Sequence, residues 1–219
     1  MDITSATAAE RTELAEVLDG LSDGDWDVPS LCAGWRVREV AAHMSFGFRT
    51  PLPRMLRELA AARGRLHRMT DSCARRDAAA LTPAALAAAL RDNAHHPWKP
   101  PVGGLVAALG HDVVHGLDIT VPLGHRRRVP PERVRLLLEN VTPRSARFFG
   151  AQLEGVTLRA DDLDWTFGSG PPVHGAGQDL LLLAFGRTLP EGLLRGEGAR
   201  RFVRGAPRDA AGRGGPGDG

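Results

Sequence analysis

The stretch Leu109–Asp118 reads LGHDVVHGLD and sets His111 and His115 four residues apart in an apolar segment. On a helix, side chains at i and i+4 stand about 5–6 Å apart on one face, so two imidazoles can share one cation. A polar face turned to water gives the same spacing, and the pair alone leaves both readings open. A third ligand has to come from another element. His43, in REVAAHM, sits beside Ala41, Ala42 and Met44 and is expected to face inward. Three neutral imidazoles with an open fourth position make a catalytic-type site, typically for Zn²⁺. Fe²⁺, Ni²⁺ or Co²⁺ accept the same ligands. His95 and His96 are adjacent, so they diverge, while His67, His125 and His174 read as surface or loop residues.

The elements that must position these residues are mostly helical. Residues 7–21 place Leu14, Val17, Leu18 and Leu21 at helical spacing. A turn-rich loop with two Trp follows, then a helix over 35–48 that carries His43. A third helix is expected from Pro51 to about Thr70, with Leu52, Met55, Leu56, Leu59 and Leu66 as its stripe and both prolines in the first turn. Thr82 and Pro83 open another helix that runs towards Pro97. Residues 103–119 form the helix of the histidine pair, and a further helix spans about 130–149. The pattern changes at GVTLRADDLDWTF, residues 155–167, where short alternating runs between Gly and Asp favour strands. A short helix, QDLLLLAFGR, comes next. The fold class is therefore mainly α: a helical domain over 1–149, a small α/β domain over 150–204, and a Gly/Pro/Arg tail over 205–219 expected to be disordered.

Bulk composition narrows the function classes. The formal net charge of +2 is too balanced for a dedicated nucleic-acid binder. The basic run His125–Arg128, between Gly124 and Pro130, reads as a solvated loop. Cys32 and Cys73 are far apart and form no CxxC pattern or disulfide framework. No run approaches the roughly 20 apolar residues of a membrane helix, and acidic residues interrupt the N-terminal stretch. The expectation is a cytoplasmic protein, monomer or homodimer, with no membrane or nucleic-acid partner.

The loop and helix DWDVPSLCAGWRVREVAAHM supply Trp26, Pro29, Ser30, Cys32, Gly34, Trp35, Val37, Glu39 and His43 in one ordered pattern. With His111, one turn ahead of the H-x-x-D of His115 and Asp118, this resembles the mycothiol-dependent maleylpyruvate isomerase-like family of the DinB/YfiT-like metalloenzymes. The stretch LRADDLDWTFGSGPPVHGAGQDLLLLAFGR resembles the small C-terminal domain of the same enzymes. The resemblance spans about residues 7–203. It implies a DinB-like up-down four-helix bundle holding a divalent metal on His43, His111 and His115. The isomerase-like relatives carry Glu where this chain has His111, and a three-histidine set is similar to relatives that look like thiol S-transferases. The exchange raises the charge of the site by one unit and makes its metal the stronger Lewis acid.

The resemblance implies mycothiol, or a similar low-molecular-weight thiol, as cosubstrate and a small electrophile as substrate. Isomerisation and S-transfer use the same site. A hydrolase or cyclase using bound water, and a non-catalytic metal-binding stress or regulatory protein, are the alternatives. Asp118 is either an acceptor for an imidazole N–H or a surface charge near the helix end. Arg49 and Arg187 are candidates to hold an acidic substrate, Arg187 also the cofactor. Cys32 has no evident base partner in its loop and is expected to pack beside Trp35. The composition, rich in Arg, Ala and Gly, is of an actinobacterial kind.

Overall fold

The computed structural model describes residues 1–125 and 127–205. Apart from Gly205, the expected disordered tail lies outside the described residues, as does Arg126 of the basic run. The described residues form nine α-helices and a three-stranded sheet in two compact units, which divide after Val141.

In the first unit, α1 (Ile3–Asp19) starts where the Asp2 carboxylate accepts the backbone N–H groups of Thr4 and Ser5. Those donors have no partner inside the helix, so the cap fixes its first residue. It is followed by α2 (Val37–Arg49), α3 (Leu52–Ala61), α4 (Leu66–Ala80), α5 (Pro83–Arg91), α6 (Gly104–Thr120) and α7 (Pro131–Glu139). Helices α1 and α2 each pack against both α5 and α6, a closed ring of four around one core. Leu14, Leu18, Val40, Met44, Leu86 and Leu90 fill it. This is the four-helix bundle that the family resemblance implies, with α4 also lying along α2.

Two expected helices are broken. The single helix from Pro51 to Thr70 stops at Ala61, because Arg63 and Gly64 take φ of 56° and 72° and the chain restarts at Leu66. A left-handed residue cannot continue a right-handed helix, and glycine carries that conformation at little cost. The shortened α3 turns Met55 and Leu59 to Phe46, Met69 and Cys73, whereas Leu52 and Leu56 are over half exposed. The expected Leu52–Leu56–Leu66 stripe is thus not a core face. Likewise the helix over 130–149 divides into α7 and α8 (Pro143–Phe148). Pro143 has no N–H to extend α7, and the Thr142 hydroxyl caps the new helix at Ser145 N, 3.1 Å away. The unit boundary consequently falls at Val141 rather than at residue 149.

The basic run is not a wholly solvated loop. The Arg127 side chain is largely covered, its Nη2 2.7 Å from Glu10 Oε1 and 3.1 Å from Glu13 Oε2. Arg133 on α7 bonds the same two carboxylates at 2.8 Å each. Burial pushes the Glu10 carboxyl up against the pull of both guanidinium groups. Burial acts on Glu13 too, but the bonds from Arg133 and Arg127 outweigh it and hold that carboxyl low. Gly116 lets α6 pass this network, since a Cβ there would stand 3.2 Å from Arg127 Nη1.

The second unit begins at Thr142. Its strands β1 (Thr157–Ala160), β2 (Thr166–Gly168) and β3 (Pro172–Gly175) pair in the order β2-β1-β3, the first pair antiparallel and the second parallel. Alternation in β1 buries Leu158 completely, under α9 (Gly177–Ala184), which packs on β1 and β3. The tight passage into β3 needs Gly170, at φ 126°, where a Cβ would come within 2.4 Å of Gly155 O. Among the described residues no helix is long and apolar enough to cross a membrane.

Replacing Arg133 with Met leaves the buried Glu10 carboxylate with Arg127 as its remaining cation and takes one cation from half-buried Glu13. Unfolding in urea should show a loss of about 3–5 kcal/mol relative to the parent chain; a loss below about 1 kcal/mol would show that Arg127 alone balances both carboxylates.

Candidate functional site

The three sequence-picked histidines meet. His43 comes from α2, and His111 and His115 come from successive turns of α6; their ring centroids lie 4.7–5.1 Å apart. One ring nitrogen from each lies within 4.8 Å of the others. The Nε2 atoms of His43 and His111 are 3.3 Å apart. Two ligand nitrogens on a tetrahedral Zn²⁺, with bonds of about 2.0–2.1 Å, stand roughly 3.3–3.4 Å from each other.

The far side of each α6 imidazole decides which nitrogen faces inward. His111 Nδ1 lies 2.8 Å from Asp112 Oδ1, and His115 Nδ1 lies 2.9 Å from Asp118 Oδ2. Both carboxylates are fully buried. A carboxylate accepts, so each Nδ1 carries the proton and each Nε2 keeps its lone pair. Lone pairs held so close repel unless a proton or a cation lies between them, and three imidazoles converging this way suit a cation. Of the two sequence readings for Asp118, the structure places it as the imidazole's acceptor and not as a surface charge.

Cys32 departs from expectation. It does pack at the core edge with Trp35, but its Sγ also lies 3.0 Å from Asp118 Oδ2 and 3.7 Å from His115 Nδ1. The thiol and the imidazole therefore donate to one carboxylate oxygen. The loop that carries Cys32 is held on itself by Ser30 N to Trp35 O (2.9 Å) and Val37 N to Val28 O (3.0 Å). It is held on α6 by Leu31 N to Asp118 O at 3.1 Å. Nothing in the loop's own sequence shows this partner, because Asp118 is 86 residues away.

Two indoles flank the cluster. Trp35 lies 5.2 Å from the His43 ring, and its Nε1–H donates to Asp71 Oδ1 on α4 at 2.7 Å. That bond, with help from Arg75, holds the Asp71 carboxyl below its ordinary range. Trp98, from the segment joining α5 to α6, lies 5.1 Å from the His111 ring. Its indole occupies the place of a side chain at position 47, where a Cβ would be 2.3 Å away. Gly47 is one turn past His43 on α2, so its missing side chain is what admits the indole.

The start of α2 is set by Glu39. Its Oε2 accepts the Arg36 backbone N–H at 2.7 Å, and its Oε1 accepts from Arg36 Nη2 at 2.5 Å. Burial raises the Glu39 carboxyl, but these bonds outweigh it and leave it below the usual range.

Each of the expected arginines has bonding partners of its own. Arg49 donates to Asp77 Oδ2 at 2.9 Å, to Ser45 Oγ and to the Ala42 carbonyl. A substrate carboxylate there would compete with one already bonded. Arg187 belongs to the second unit, where its Nη1 donates to the Phe185 carbonyl at 2.7 Å. The residue that sequence reasoning missed is Arg11, whose Nε reaches Asp112 Oδ2 at 2.7 Å inside the bundle.

Comparisons with known proteins fit this geometry. The family model of the mycothiol maleylpyruvate isomerase N-terminal domain matches residues 7–96, which include the loop and His43. A crystal structure of the mycothiol-dependent maleylpyruvate isomerase superposes with a TM-score of 0.58 at 15% identity, covering 90% of this chain and 92% of that one. A histidine-to-alanine mutant of that isomerase gives the same score and coverage at 14% identity. At such identities the likeness speaks for the fold, a mainly helical DinB-like bundle with a small α/β unit. No curated protein sequence matches the chain.

Because the Glu39 carboxyl is held low in the folded chain, its stabilising contribution is complete well above its ordinary value of 4.5 and drains away as pH falls towards the lower folded value. Urea midpoints followed from pH 6 to pH 3 should fall less steeply for Glu39→Gln than for the parent; parallel curves would refute the assignment. Gly47→Ala should drive Trp98 off His111. The readout is a red shift in tryptophan emission that a Trp98→Phe background lacks, with a stability loss of about 1–3 kcal/mol.

Proposed function

We propose, from the mycothiol maleylpyruvate isomerase N-terminal domain at residues 7–96, that this chain is a divalent-metal-dependent enzyme using a low-molecular-weight thiol of the mycothiol type. Its substrate is a small electrophile. The observation that carries the reading is the donor set: three converging imidazoles, two of them with Nδ1 committed to buried carboxylates. His43, His111 and His115 would hold the ion, Zn²⁺ being the best match to three nitrogen ligands and an open position.

A cation bound there would lower the pKa of a thiol at its open position and so supply a thiolate nucleophile near neutral pH. The chain's own groups do the rest. Asp112 and Asp118 hold protons on the outer nitrogens and keep the inner ones available, which raises ligand basicity. The Cys32 thiol donates to Asp118 and so steadies the carboxylate rather than attacking substrate. Trp35 and Trp98 exclude water from two sides of the cluster. Thiolate addition to a cis-alkene conjugated to a carbonyl, rotation and expulsion isomerises it; displacement or stable addition gives an S-conjugate. Three neutral imidazoles leave the full metal charge to act on the thiol, which favours S-transfer alongside isomerisation. Arg49 and Arg187 remain the proposed cations for an acidic substrate, and Arg187 also for the thiol cofactor, each giving up a present partner to do so.

The decisive experiment is calorimetric titration of metal-free protein with Zn²⁺, paired with a thiol-dependence assay. The parent chain should take close to one equivalent, and His43→Ala should weaken binding at least 100-fold. Turnover of an electrophile should require the added thiol. Equal Zn²⁺ binding by His43→Ala would sink the metal assignment, and turnover indifferent to thiol would sink the cosubstrate.

A further inference from the structure

The buried guanidinium of Arg11 links the site to a helix that supplies none of its ligands. Arg11 is 1% exposed on α1, and Asp112 is fully buried on α6. Arg11 Nε lies 2.7 Å from Asp112 Oδ2, and the other oxygen of that carboxylate lies 2.8 Å from His111 Nδ1. Guanidinium, carboxylate and imidazole thus stand in series across two helices, with the lone pair of His111 at the far end.

The same guanidinium also grips the segment that carries Trp98. Its Nη1 donates to the carbonyls of Ala94 at 3.2 Å and His96 at 2.7 Å, and its Nη2 to that of Trp98 at 3.4 Å. Its plane lies over the Phe48 ring, 4.6 Å from the centroid. Only a planar fork of several N–H groups can serve a carboxylate on one edge and a run of carbonyls on the other. A lysine ammonium in the same place would keep the charge and lose most of these bonds.

We propose that Arg11 is a positioning residue for the metal centre: through Asp112 it fixes the tautomer and ring orientation of His111, and through the carbonyls of residues 94–98 it seats Trp98 against that ring. The proposal rests on the metal reading of the three histidines. Arg11 never meets the ion or the substrate, and it acts by removing the alternative orientations of the Asp112 carboxylate. Outer partners of this kind typically contribute 10–100-fold to metal affinity.

The test is Co²⁺ titration of metal-free protein, read by calorimetry and by the visible d–d absorption that reports coordination geometry. Parent, Arg11→Met, Arg11→Lys and Asp112→Asn chains are compared, with His43→Ala as the control for the site itself. Arg11→Met and Asp112→Asn should each weaken binding 10–100-fold and change the absorption band. Arg11→Lys should fall between parent and Arg11→Met. The double variant Arg11→Met/Asp112→Asn should be no weaker than the worse single one, since both act through one carboxylate. A purely structural arginine would lower the melting temperature of the metal-free protein and leave affinity and spectrum alone; that result in Arg11→Met overturns the proposal. If Arg11→Met does not fold, Arg11→Lys decides: parental affinity and spectrum overturn the proposal, and a weakened, altered site supports it. A parent chain that binds Co²⁺ no better than His43→Ala overturns the metal reading itself, and this inference with it.

Discussion

A guanidinium and a carboxylate, both withdrawn from water, are joined at the middle of the first unit. Taking two such charges out of solvent costs several kcal/mol each, and the pair alone does not reliably repay it. Here the cost is offset because each charge has further bonding partners besides the other. Arg11 spends its remaining N–H groups on backbone carbonyls that have left α5 and would otherwise lack partners. Asp112 spends its second oxygen on His111. Bonded on both of its edges, the pair becomes a fixed point: α1, α6 and the α5–α6 segment have to meet at it.

That fixed point sets register as much as stability. Apolar faces such as those of Leu14, Leu18 and Leu117 tolerate small slips, because hydrophobic contact has no direction. An ion pair does not. Moving α6 by one turn relative to α1 would carry Asp112 about 5.4 Å away and leave two bare charges in the core. Glu10 and Glu13, on the same helix, impose a second condition through Arg127 and Arg133. Helix α1 therefore locates α6 directly at Asp112, and through Arg127 and Arg133 it also holds the segment after α6 and the start of α7. The height of His111 in the bundle is constrained by the first of these.

What could be read in the sequence follows from the range of each interaction. His111 and His115 were legible because i and i+4 is a local relation, and His43 because an apolar helix around a lone imidazole is a local anomaly. The end of α3 was legible in principle, since Arg63-Gly64 interrupts the chain, but the leucine stripe on both sides spoke for a continuous helix. The bonds that finish the site are another matter. Arg11 is one of 27 arginines, and its partner is 101 residues away. Cys32 and Asp118 likewise find each other only when the loop closes on α6. Arg127 belongs to a run that looks solvated because its charge balance comes from α1. One signal was available and local: Asp112 interrupts an apolar helix beside a histidine, where an unpaired carboxylate would be costly.

The three imidazoles are secured by three different devices. His111 depends on the Arg11–Asp112 pair, His115 on Asp118 and the Cys32 loop, and His43 on the Glu39-capped start of α2 and the indole of Trp35. Because these devices lie in separate parts of the bundle, the imidazoles converge only once the bundle is complete. Folding would then bear the entropy of ordering them, and on the proposed function more of the binding energy would be left for holding a cation tightly. An ion held by nitrogen ligands alone would keep its full positive charge at the open position, since Asp112 and Asp118 spend their charge on protons and an arginine behind the rings. Such a ligand set would favour an anionic sulfur over neutral water in that position. Selection among electrophiles would then fall to the walls of the proposed site, to which Trp35 and Trp98 contribute.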